Sequence, residues 1–462
     1  MSRALTDRII AEMQRLIASL PQPPQHIWLG FSGGMDSALL AYALSLFVRQ
    51  APEWRSQVHL VHVHHGLNRQ ADTWAQHCMA SARVYQLDGR VLAVDVDTSA
   101  GMSIEAEARK QRYQALASLM QANDILLTAH HQDDQLETVL LALKRGQGPK
   151  GLAAMGAVQP FSSRCWQLRP MLNVSRSEIE QAVQALALDY VDDDSNLDTR
   201  YDRNFLRQDI IPMLKQRWPA FAETASRSAT LCAEQQQLLD EIALEKIAPI
   251  LSACEFTGQP ILPLAPLTAF SDAWQRQLVR TFIAQQCIAP PSQIQLQQLL
   301  QQLFSAADDA SVMLTFGGYQ YRRFNDALYI VPPLPPAAAT IVLSDAQSAA
   351  LRAGQLRLAM PAPWQALASV VVQQGPRLNP ALLQGQVEIC FSLLGSTRCH
   401  PHWRQQGREL KKIWQETKVP TWLRNRMPML LVNGKLVAIA NLFINQHALA
   451  TSEQAGISLD LH

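Results

Sequence analysis

The chain has 462 residues, of which 48% are hydrophobic, and its formal net charge is +1 at pH 7. This length exceeds what one ordinary core organises, so two to four domains are expected, and the balanced charge says nothing of nucleic acid until the charges are located. The seven cysteines are scattered and form no Cys-x-x-Cys pair, which argues against a disulfide framework or a zinc knuckle.

The first predicted element is an apolar strand from His26 that stops at a glycine turn and continues into a helix over residues 38–47. The turn reads Ser32-Gly33-Gly34-Met35-Asp36-Ser37. Glycine lets backbone N–H groups turn toward one spot, which also lies at the positive end of the helix dipole, so a phosphate is the expected occupant. The lysine of a Walker-type loop is missing, and a capped turn without any ligand is the alternative.

Further strands are predicted over residues 58–65, 91–96 and 124–130, alternating with helices near 74–85 and 103–121. Such alternation predicts an α/β domain with a doubly wound, mostly parallel sheet. These sheets bind ligands at the carboxyl ends of their strands. His62, His64 and His65 alternate along the second strand, and His65 is the one expected in the site because it adjoins Gly66 at the strand end.

A second motif follows the fourth strand, where two histidines precede Asp133 and Asp134 at a predicted helix start. Glu137 lies one turn further on the same helical face. Acidic residues in a first turn are favoured by the helix dipole alone. A His-His-x-Asp-Asp-x-x-Glu cluster at a strand end is also compatible with the metal site of a hydrolase, so both alternatives stay open.

Together with the motifs that follow, these stretches resemble the tRNA(Ile)-lysidine synthase family of PP-loop (N-type) ATP pyrophosphatases. The motifs occur in the family's order: SGGxDS at 32–37, HxxHGL at 62–67, Glu105 with Ala108-Arg109 and Arg112-Tyr113, AHHxDDxxET at 129–138, RGxGxxGL at 145–152, DSN at 194–196 and RNxxR at 203–207. The resemblance is densest between residues 27 and 212 and extends over nearly all of the chain.

This resemblance implies that ATP adenylates the O2 atom of the wobble cytidine in an isoleucine tRNA with a CAU anticodon, releasing pyrophosphate. The ε-amine of L-lysine then attacks C2 and displaces AMP, which leaves lysidine. ATP and Mg²⁺ are the implied cofactors. The implied residue roles are ATP binding by Ser32, Gly33, Gly34, Met35, Asp36, Ser37 and His65; Mg²⁺ binding by Asp36 through pyrophosphate; catalysis by Asp36, His130, Asp134 and Glu137; and phosphate or RNA contacts by Arg109, Arg112, Arg203 and Arg207.

Three alternatives to this function remain. Other PP-loop ligases include tRNA thiolases, which typically need paired cysteines, and amide-forming synthetases, which need a source of ammonia. A catalytically idle tRNA-binding protein would keep the fold, although the intact Asp36, Asp134 and Glu137 argue against it. A metal-dependent hydrolase would act without ATP.

Four segments are predicted: a catalytic domain at 1–217, a mainly helical domain at 218–331, a Pro/Ala linker at 332–339 and a small α+β domain at 340–462. The resemblance implies that the second segment selects the tRNA and that the last one binds it. Apolar stripes predict the helical core of the second segment. They comprise Leu231, Leu238, Leu239 and Ile242, then Trp274, Leu278 and Phe282, then Ile294, Leu299 and Leu303. A hairpin is predicted around Gly317-Gly318.

Residues 398–426, here called the basic segment, carry eight Lys or Arg against Glu409 and Glu416. Clustered cations interleaved with tryptophan are typical of contacts to a phosphate backbone, although a solvated helix face is the alternative. The segment also resembles the C-terminal part of the family. The expected tRNA contacts are Arg398, Arg404, Arg408, Lys411, Lys412, Arg424 and Arg426.

No window approaches the roughly 18 uncharged apolar residues of a membrane span, and the N-terminal residues lack the apolar core of a signal peptide. We therefore expect a cytoplasmic protein without a membrane partner. The sequence leaves the oligomeric state open, with a homodimer as one option.

Overall fold

A computed structural model describes residues 2–66, 68–95, 104–162, 164–193, 198–305, 312–451 and 454–462. Leu67 of the HGL motif, the DSN motif at 194–196 and the side chain of Glu105 lie outside the described residues. The chain divides into two compact units, of which the first ends at Leu239 and the second begins at Asp240.

The first unit is built on one six-stranded sheet. Its strands are β1 (Ile27–Gly30), β2 (Val58–His64), β3 (Asp88–Ala93), β4 (Ile125–Leu127), β5 (Val158–Ser162) and β6 (Cys165–Leu168). Their order across the sheet is β3-β2-β1-β4-β6-β5, and all neighbours are parallel except β5 and β6. The prediction of an α/β fold with a mostly parallel sheet is therefore confirmed.

Helices surround this sheet and continue beyond it. They are α1 (Ser2–Ala18), α2 (Met35–Gln50), α3 (Ala71–Tyr85), α4 (Ile104–Leu119), α5 (Gln132–Lys144), α6 (Pro149–Leu152), α7 (Arg176–Ala185), α8 (Asp202–Phe205), α9 (Ile211–Arg217) and α10 (Phe221–Ile247). A single π-helical turn, Leu206–Ile210, joins α8 to α9. α10 crosses the boundary between the two units.

Alternating side chains of the central strands bury against both faces of the sheet. Ile27 and Leu29 of β1 belong to a large core that also contains residues of α1, α2 and α7. Trp28, between them, belongs to a smaller core with Leu116 of α4. Because successive residues of a strand point to opposite faces, one short apolar strand supports both helical layers. The carboxyl ends of β1 and β4 then share one edge of the sheet.

Within its described residues, the second unit contains antiparallel sheets and four further α-helices. Its helices are α11 (Asp272–Gln285), α12 (Gln293–Ser305), α13 (Asp345–Arg352) and α14 (Leu410–Glu416). One five-stranded sheet has the order β7 (Ser252–Ala253), β8 (Pro260–Pro263), β11 (Ala327–Val331), β10 (Tyr319–Phe324), β9 (Met313–Phe316). The predicted hairpin at Gly317-Gly318 joins β9 to β10.

Three further sheets, of five, three and two strands, belong to the described part of the second unit. The first contains β12 (Ile341–Val342), β15 (Val387–Cys390), β18 (Met429–Val432), β19 (Lys435–Ile439) and β20 (Phe443–Ile444). The second contains β13 (Arg357–Ala359), β14 (Ala366–Val372) and β21 (Gly456–Leu461), and the third pairs β16 (Arg398–Cys399) with β17 (Arg408–Glu409).

Two of the predicted apolar stripes are wrong in part. Leu231, Leu238 and Ile242 of α10 are exposed, as is Ile294 of α12. The buried side of α10 instead presents small or differently spaced residues, including Ala229, Ala243 and Ile247. Leu278, Phe282, Leu299 and Leu303 are confirmed as core residues because they are buried, whereas Trp274 is only partly buried and packs against that core.

Candidate active site

The glycine turn after β1 is held in shape by two serines. Gly33 has φ = +85°, and a Cβ placed on it would come within 2.7 Å of Val191 Cγ2. Ser37 Oγ donates to the Gly34 carbonyl at 2.9 Å and lies 3.1 Å from Ser32 Oγ. The turn therefore requires glycine for its backbone and for space, and it leads directly into the first N–H groups of α2, which have no intrahelical acceptor.

Helix α5 begins at the end of β4 with a capping box made by His131 and Asp134. His131 Nδ1 accepts from the backbone N–H of Asp133 at 3.2 Å, and the backbone N–H of His131 donates to Asp134 Oδ2 at 2.9 Å. These bonds satisfy N–H groups at the helix start that lack intrahelical partners. They also fix the direction of the Asp134 carboxylate.

The His131 imidazole joins the glycine turn to α5. Its Nε2 lies 3.7 Å from Asp36 Oδ1 and 3.5 Å from Asp134 Oδ2. The side chain is only 2% exposed. His131 was not among the predicted site residues, although its place as N-cap before an acidic turn could have indicated a local structural role.

Two arginines also contact the acidic residues that follow His131. Arg207 Nε donates to Glu137 Oε1 at 2.8 Å, and Arg207 Nη2 donates to Glu137 Oε2 and Asp134 Oδ1, both at 3.2 Å. Arg203 Nε lies 3.8 Å from Glu137 Oε2. Asp36, Asp134 and Glu137, here called the acidic cluster, are thus brought together with two of the four predicted arginines.

Burial and neighbouring charges shift the pKa values of the acidic cluster in different directions. Burial raises the pKa of Glu137 above its ordinary value, against the opposing effect of Arg207. Burial likewise raises the pKa of Asp36, opposed by His131 and Arg176. Burial alone would also raise the pKa of Asp134, but His131, His130, a backbone hydrogen bond and Arg207 outweigh it and lower that pKa. Neighbouring carboxylates with opposite shifts are suited to different roles.

Arg176, the first residue of α7, is a site residue that sequence reasoning missed. Its Nη1 lies 3.3 Å from both carboxylate oxygens of Asp36. The contact places a guanidinium beside the glycine turn, and guanidinium groups are well suited to binding phosphate. Because Arg176 is 140 residues from Asp36, no local pattern indicates this pairing.

Three further predicted residues lie away from the acidic cluster: His65 directly follows β2, and Arg109 and Arg112 lie within α4. Arg112 Nε donates to His65 Nε2 at 3.1 Å. Burial, with a further contribution from Arg112, lowers the pKa of His65 to about 4. Arg109 lies over the ring of Tyr113, with its Cζ 5.1 Å from the ring centroid. No described bond joins these residues to the acidic cluster.

His130 contacts the side chain of Thr128, whose Oγ1 lies 2.9 Å from His130 Nδ1. Burial lowers the pKa of His130 to about 4, despite the opposing carboxylate of Asp134. The imidazole is therefore neutral near pH 7.

The basic segment of the second unit lies on β16, β17, α14 and the residues after them. Lys411 Nζ is 3.3 Å and Lys412 Nζ 3.9 Å from Glu409 Oε2. Arg404 Nη1 lies 2.7 Å and Arg408 Nη1 3.6 Å from the Glu416 carboxylate. The two glutamates of the segment thus pair with four of its eight cations.

The interleaved tryptophans of this segment differ from the expected pattern. Trp414 is buried in the core, and Trp422 packs edge-on against Tyr329, with ring centroids 5.1 Å apart. Trp403 is exposed over 43% of its surface. Only Trp403 among these three is available as a surface ring, because the other two stabilise the fold.

Two further observations concern metals and membranes. Within the described ranges, His, Cys, Asp and Glu side chains form no group of three or more arranged to hold a metal ion. Among the helices that the structure describes, none combines the length and apolar character needed to cross a membrane.

The parallel sheet, the glycine turn after β1 and the acidic helix after β4 define a nucleotide-binding domain of the PP-loop class. Residues 5–214 match the family model described as the PP-loop domain. Residues 262–329 match the model of the TilS substrate binding domain, and residues 387–461 match that of the TilS substrate C-terminal domain.

Curated relatives named tRNA(Ile)-lysidine synthase extend this match over most of the chain. The Shewanella oneidensis relative is 45% identical over 450 residues, covering 96% of each chain. The Shewanella woodyi relative is 44% identical, covering 94% of this chain and 92% of its own, and the Shigella flexneri relative is 39% identical, covering 94% and 95%. This chain belongs to the tRNA(Ile)-lysidine synthase family. The resemblance seen in the motifs is confirmed. It favours a PP-loop enzyme over a metal-dependent hydrolase.

Proposed function

We propose that this protein is an ATP-dependent ligase that joins L-lysine to C2 of the wobble cytidine in isoleucine tRNA with a CAU anticodon, with release of AMP and pyrophosphate. The observation that carries the proposal is the meeting of the glycine turn and α5. Asp36 and Asp134 both approach the buried His131, and Glu137 is fixed beside them by Arg207. A phosphate-binding turn thereby lies next to carboxylates that can bind an amine and accept its proton.

In the first step, ATP binds with its phosphates at the glycine turn. The C2 carbonyl of cytidine is a poor electrophile, so its oxygen must be adenylated to become a leaving group. The N–H groups at the start of α2 and the guanidinium of Arg176 offset the negative charge that develops on the departing pyrophosphate. These donors are preorganised, because Gly33 and the two serines fix the turn.

The residues at the turn fit a role for Mg²⁺. This cation prefers oxygen ligands and is usually bound through one or two carboxylates together with substrate phosphates. Asp36 supplies a carboxylate in the first turn of α2, two residues after Gly34. Bound there, Mg²⁺ would supply positive charge to the pyrophosphate leaving group.

In the second step, the ε-amine of lysine must lose a proton, because its ordinary pKa is about 10.4. Glu137 is the better candidate for the base, since a raised pKa makes a carboxylate a stronger proton acceptor. Asp134 remains ionised because its pKa is lowered, which suits it to anchor the ammonium group. Phosphates, the activated cytidine or RNA would be contacted by His130, Arg109, Arg112, Arg203 and Arg207.

The tRNA is assigned to the parts of the chain beyond the catalytic domain. We propose the division into 1–217, 218–331, 332–339 and 340–462, with tRNA selection in the second segment and phosphate-backbone contacts from the basic segment. Matches to TilS substrate binding and C-terminal domain models support this assignment. Cytoplasmic location and a homodimer stay predictions.

The test combines purified protein, Mg·ATP, labelled L-lysine and unmodified CAU-anticodon isoleucine tRNA. The expected products are lysine-labelled tRNA together with AMP and pyrophosphate. The matched control is the same tRNA with C34 replaced by U, which should accept no lysine. Release of AMP without lysine transfer would contradict the assigned nucleophile or tRNA, and tRNA binding without ATP turnover would support the idle-protein alternative.

A further inference from the structure

We propose that Thr128, Gln167 and Arg169 are positioning residues that fix His130 as a neutral hydrogen-bond donor, with its proton on Nε2. In this state His130 donates a hydrogen bond to the negative charge that develops on the substrate and does not serve as the base for the lysine amine. The proposal rests on the proposed function for the role of His130, but the tautomer itself can be measured independently.

A chain of hydrogen bonds, here called the relay, runs from Arg169 through Gln167 and Thr128 to His130. Arg169 follows β6 and is only 4% exposed. Arg169 Nη2 donates to Gln167 Oε1 at 2.7 Å, and Nη1 donates to the Gly156 carbonyl at 2.7 Å. A guanidinium can only donate hydrogen bonds, so the atom of Gln167 facing it must be the amide oxygen. The orientation of the Gln167 amide is thereby determined by chemistry.

The second link runs from Gln167 to Thr128. With the Gln167 oxygen facing Arg169, its NH₂ group faces Thr128 Oγ1 and donates to it at 3.1 Å. Gln167 is itself 4% exposed, so this amide has no access to bulk water to exchange partners. One lone pair of the Thr128 hydroxyl is therefore occupied, and its proton remains to be placed.

The third link sets the tautomer of His130. The Thr128 hydroxyl lies 2.9 Å from His130 Nδ1. Among the residues described by the structure, Thr128 Oγ1 has no side-chain partner except Gln167 and His130. A hydroxyl has one proton to donate, and donation to Nδ1 pairs that proton with a side-chain acceptor, so we place it in this bond. A neutral imidazole that accepts at Nδ1 carries its proton on Nε2.

The surroundings keep this imidazole neutral. Burial lowers the pKa of His130 to about 4; Asp134 opposes the shift, while Arg169, Arg109 and Arg203 add to it. A neutral N–H donor can stabilise developing negative charge without transferring its proton. The base for the lysine amine then has to be another group, which agrees with the raised pKa of Glu137.

The relay also gives a function to the antiparallel edge of the sheet. Gln167 pairs across the strands with Gln159, whose Oε1 accepts from Arg169 Nη1 at 3.0 Å. Thr128 directly follows β4, which is parallel to β6. Two adjacent strand ends thus carry the whole relay, so its geometry is as rigid as the sheet.

The tautomer is tested by long-range ¹H–¹⁵N correlation spectra of the full-length protein labelled at histidine nitrogens. His130→Gln identifies the His130 signals among the 12 histidines. We expect an unprotonated Nδ1 and a protonated Nε2 throughout the pH range near 7. A protonated Nδ1 in the unsubstituted protein would overturn the proposal, whether or not lysine transfer is observed.

Two substitutions test the relay and have matched controls. Gln167→Glu places a carboxylate oxygen against the Thr128 hydroxyl, which would then donate to the carboxylate, so the proton of His130 should move to Nδ1. Thr128→Val removes the hydroxyl and should abolish the tautomer preference, with kcat for adenylation about tenfold to a hundredfold lower. Thr128→Ser should restore both properties, and Thr224→Val, which removes an exposed hydroxyl on α10, should change neither.

The outcomes separate this inference from the proposed function. Loss of activity in Thr128→Val with an unchanged tautomer would show a merely structural role and would overturn the relay. An unchanged tautomer in Gln167→Glu would also overturn it. Absence of lysine transfer in the unsubstituted protein would contradict the proposed function while leaving the spectroscopic result valid.

Discussion

The acidic cluster of the first unit and the basic segment of the second unit hold their charges in opposite surroundings. The Glu137 side chain is 1% exposed, whereas those of Lys411 and Lys412 are 62% and 51% exposed. Breaking a buried pair leaves an uncompensated charge, while an exposed pair contributes only about 0 to 1 kcal/mol. Single substitutions in the acidic cluster should therefore cause large losses of activity that depend little on salt. The basic segment should respond in small, additive and salt-dependent steps.

The largest expected effect is that of Asp36→Ala, which removes the carboxylate joined to both His131 and Arg176. We expect ATP turnover to fall about a thousandfold. Binding of tRNA should be retained, because the basic segment is untouched. Pyrophosphate release measures the first property and filter binding the second, with Asp72→Ala on α3 as the control. Normal turnover in Asp36→Ala would rule out the assignment of the phosphate turn.

Arg207→Gln should have the next largest effect, through the pKa of Glu137. Arg207 opposes the rise in that pKa, so its removal raises the pKa further. Glu137 must be ionised to accept a proton, and the acid limb of lysine transfer should therefore move to higher pH. We expect about a hundredfold loss near pH 7 that is partly recovered at higher pH. Arg200→Gln, which removes an exposed arginine paired with Asp198, is the control and should leave the pH profile in place.

In the second unit, Lys411→Ala combined with Lys412→Ala should weaken tRNA binding by about tenfold at low salt. The slope of the logarithm of affinity against the logarithm of salt concentration should become shallower by about two, one unit for each lost phosphate contact. Binding of ATP should not change. Lys435→Ala, on β19 outside the basic segment, is the matched control. An unchanged slope would mean that these lysines form a solvated helix face only.

The smallest effect is expected from Glu409→Gln, which removes the carboxylate paired with both lysines. Freed from this partner, Lys411 and Lys412 should bind tRNA more tightly, by up to about fivefold. The gain should disappear in the double lysine variant. Weaker binding in Glu409→Gln would indicate that the glutamate orders the lysines for binding instead of competing with tRNA.

The parts of the site that the sequence could predict are local ones. The glycine turn and the carboxylates of α5 are contiguous motifs whose chemistry can be deduced from spacing. The contacts of Asp36 with His131 and Arg176 could not be deduced, because each partner arrives from a distant strand or helix. The role of Thr128 was hidden for the same reason, since its partner Gln167 lies 39 residues later.

The fold shows a similar division. Central parallel strands such as 27–30 are continuous apolar runs and were recognised. β5 and β6 were missed: β5 lies at the sheet edge, contains Pro160 and is largely exposed, so it lacks the expected pattern. Along α10, a regular leucine stripe predicted the wrong face, because exposed apolar residues share the helical period with buried ones.

The π-helical turn between α8 and α9 determines whether this region tolerates the deletion or the insertion of a residue. Arg207 and Lys215 are eight residues apart, yet both reach α5, where Lys215 Nζ lies 2.5 Å from Asp133 Oδ2. In a plain α-helix, residues eight apart differ by about 80° around the axis and residues seven apart by about 20°. The π turn accommodates one extra residue, so deleting Asp209 should leave both cations on one face. An insertion there would turn Lys215 away from α5 by about 100°.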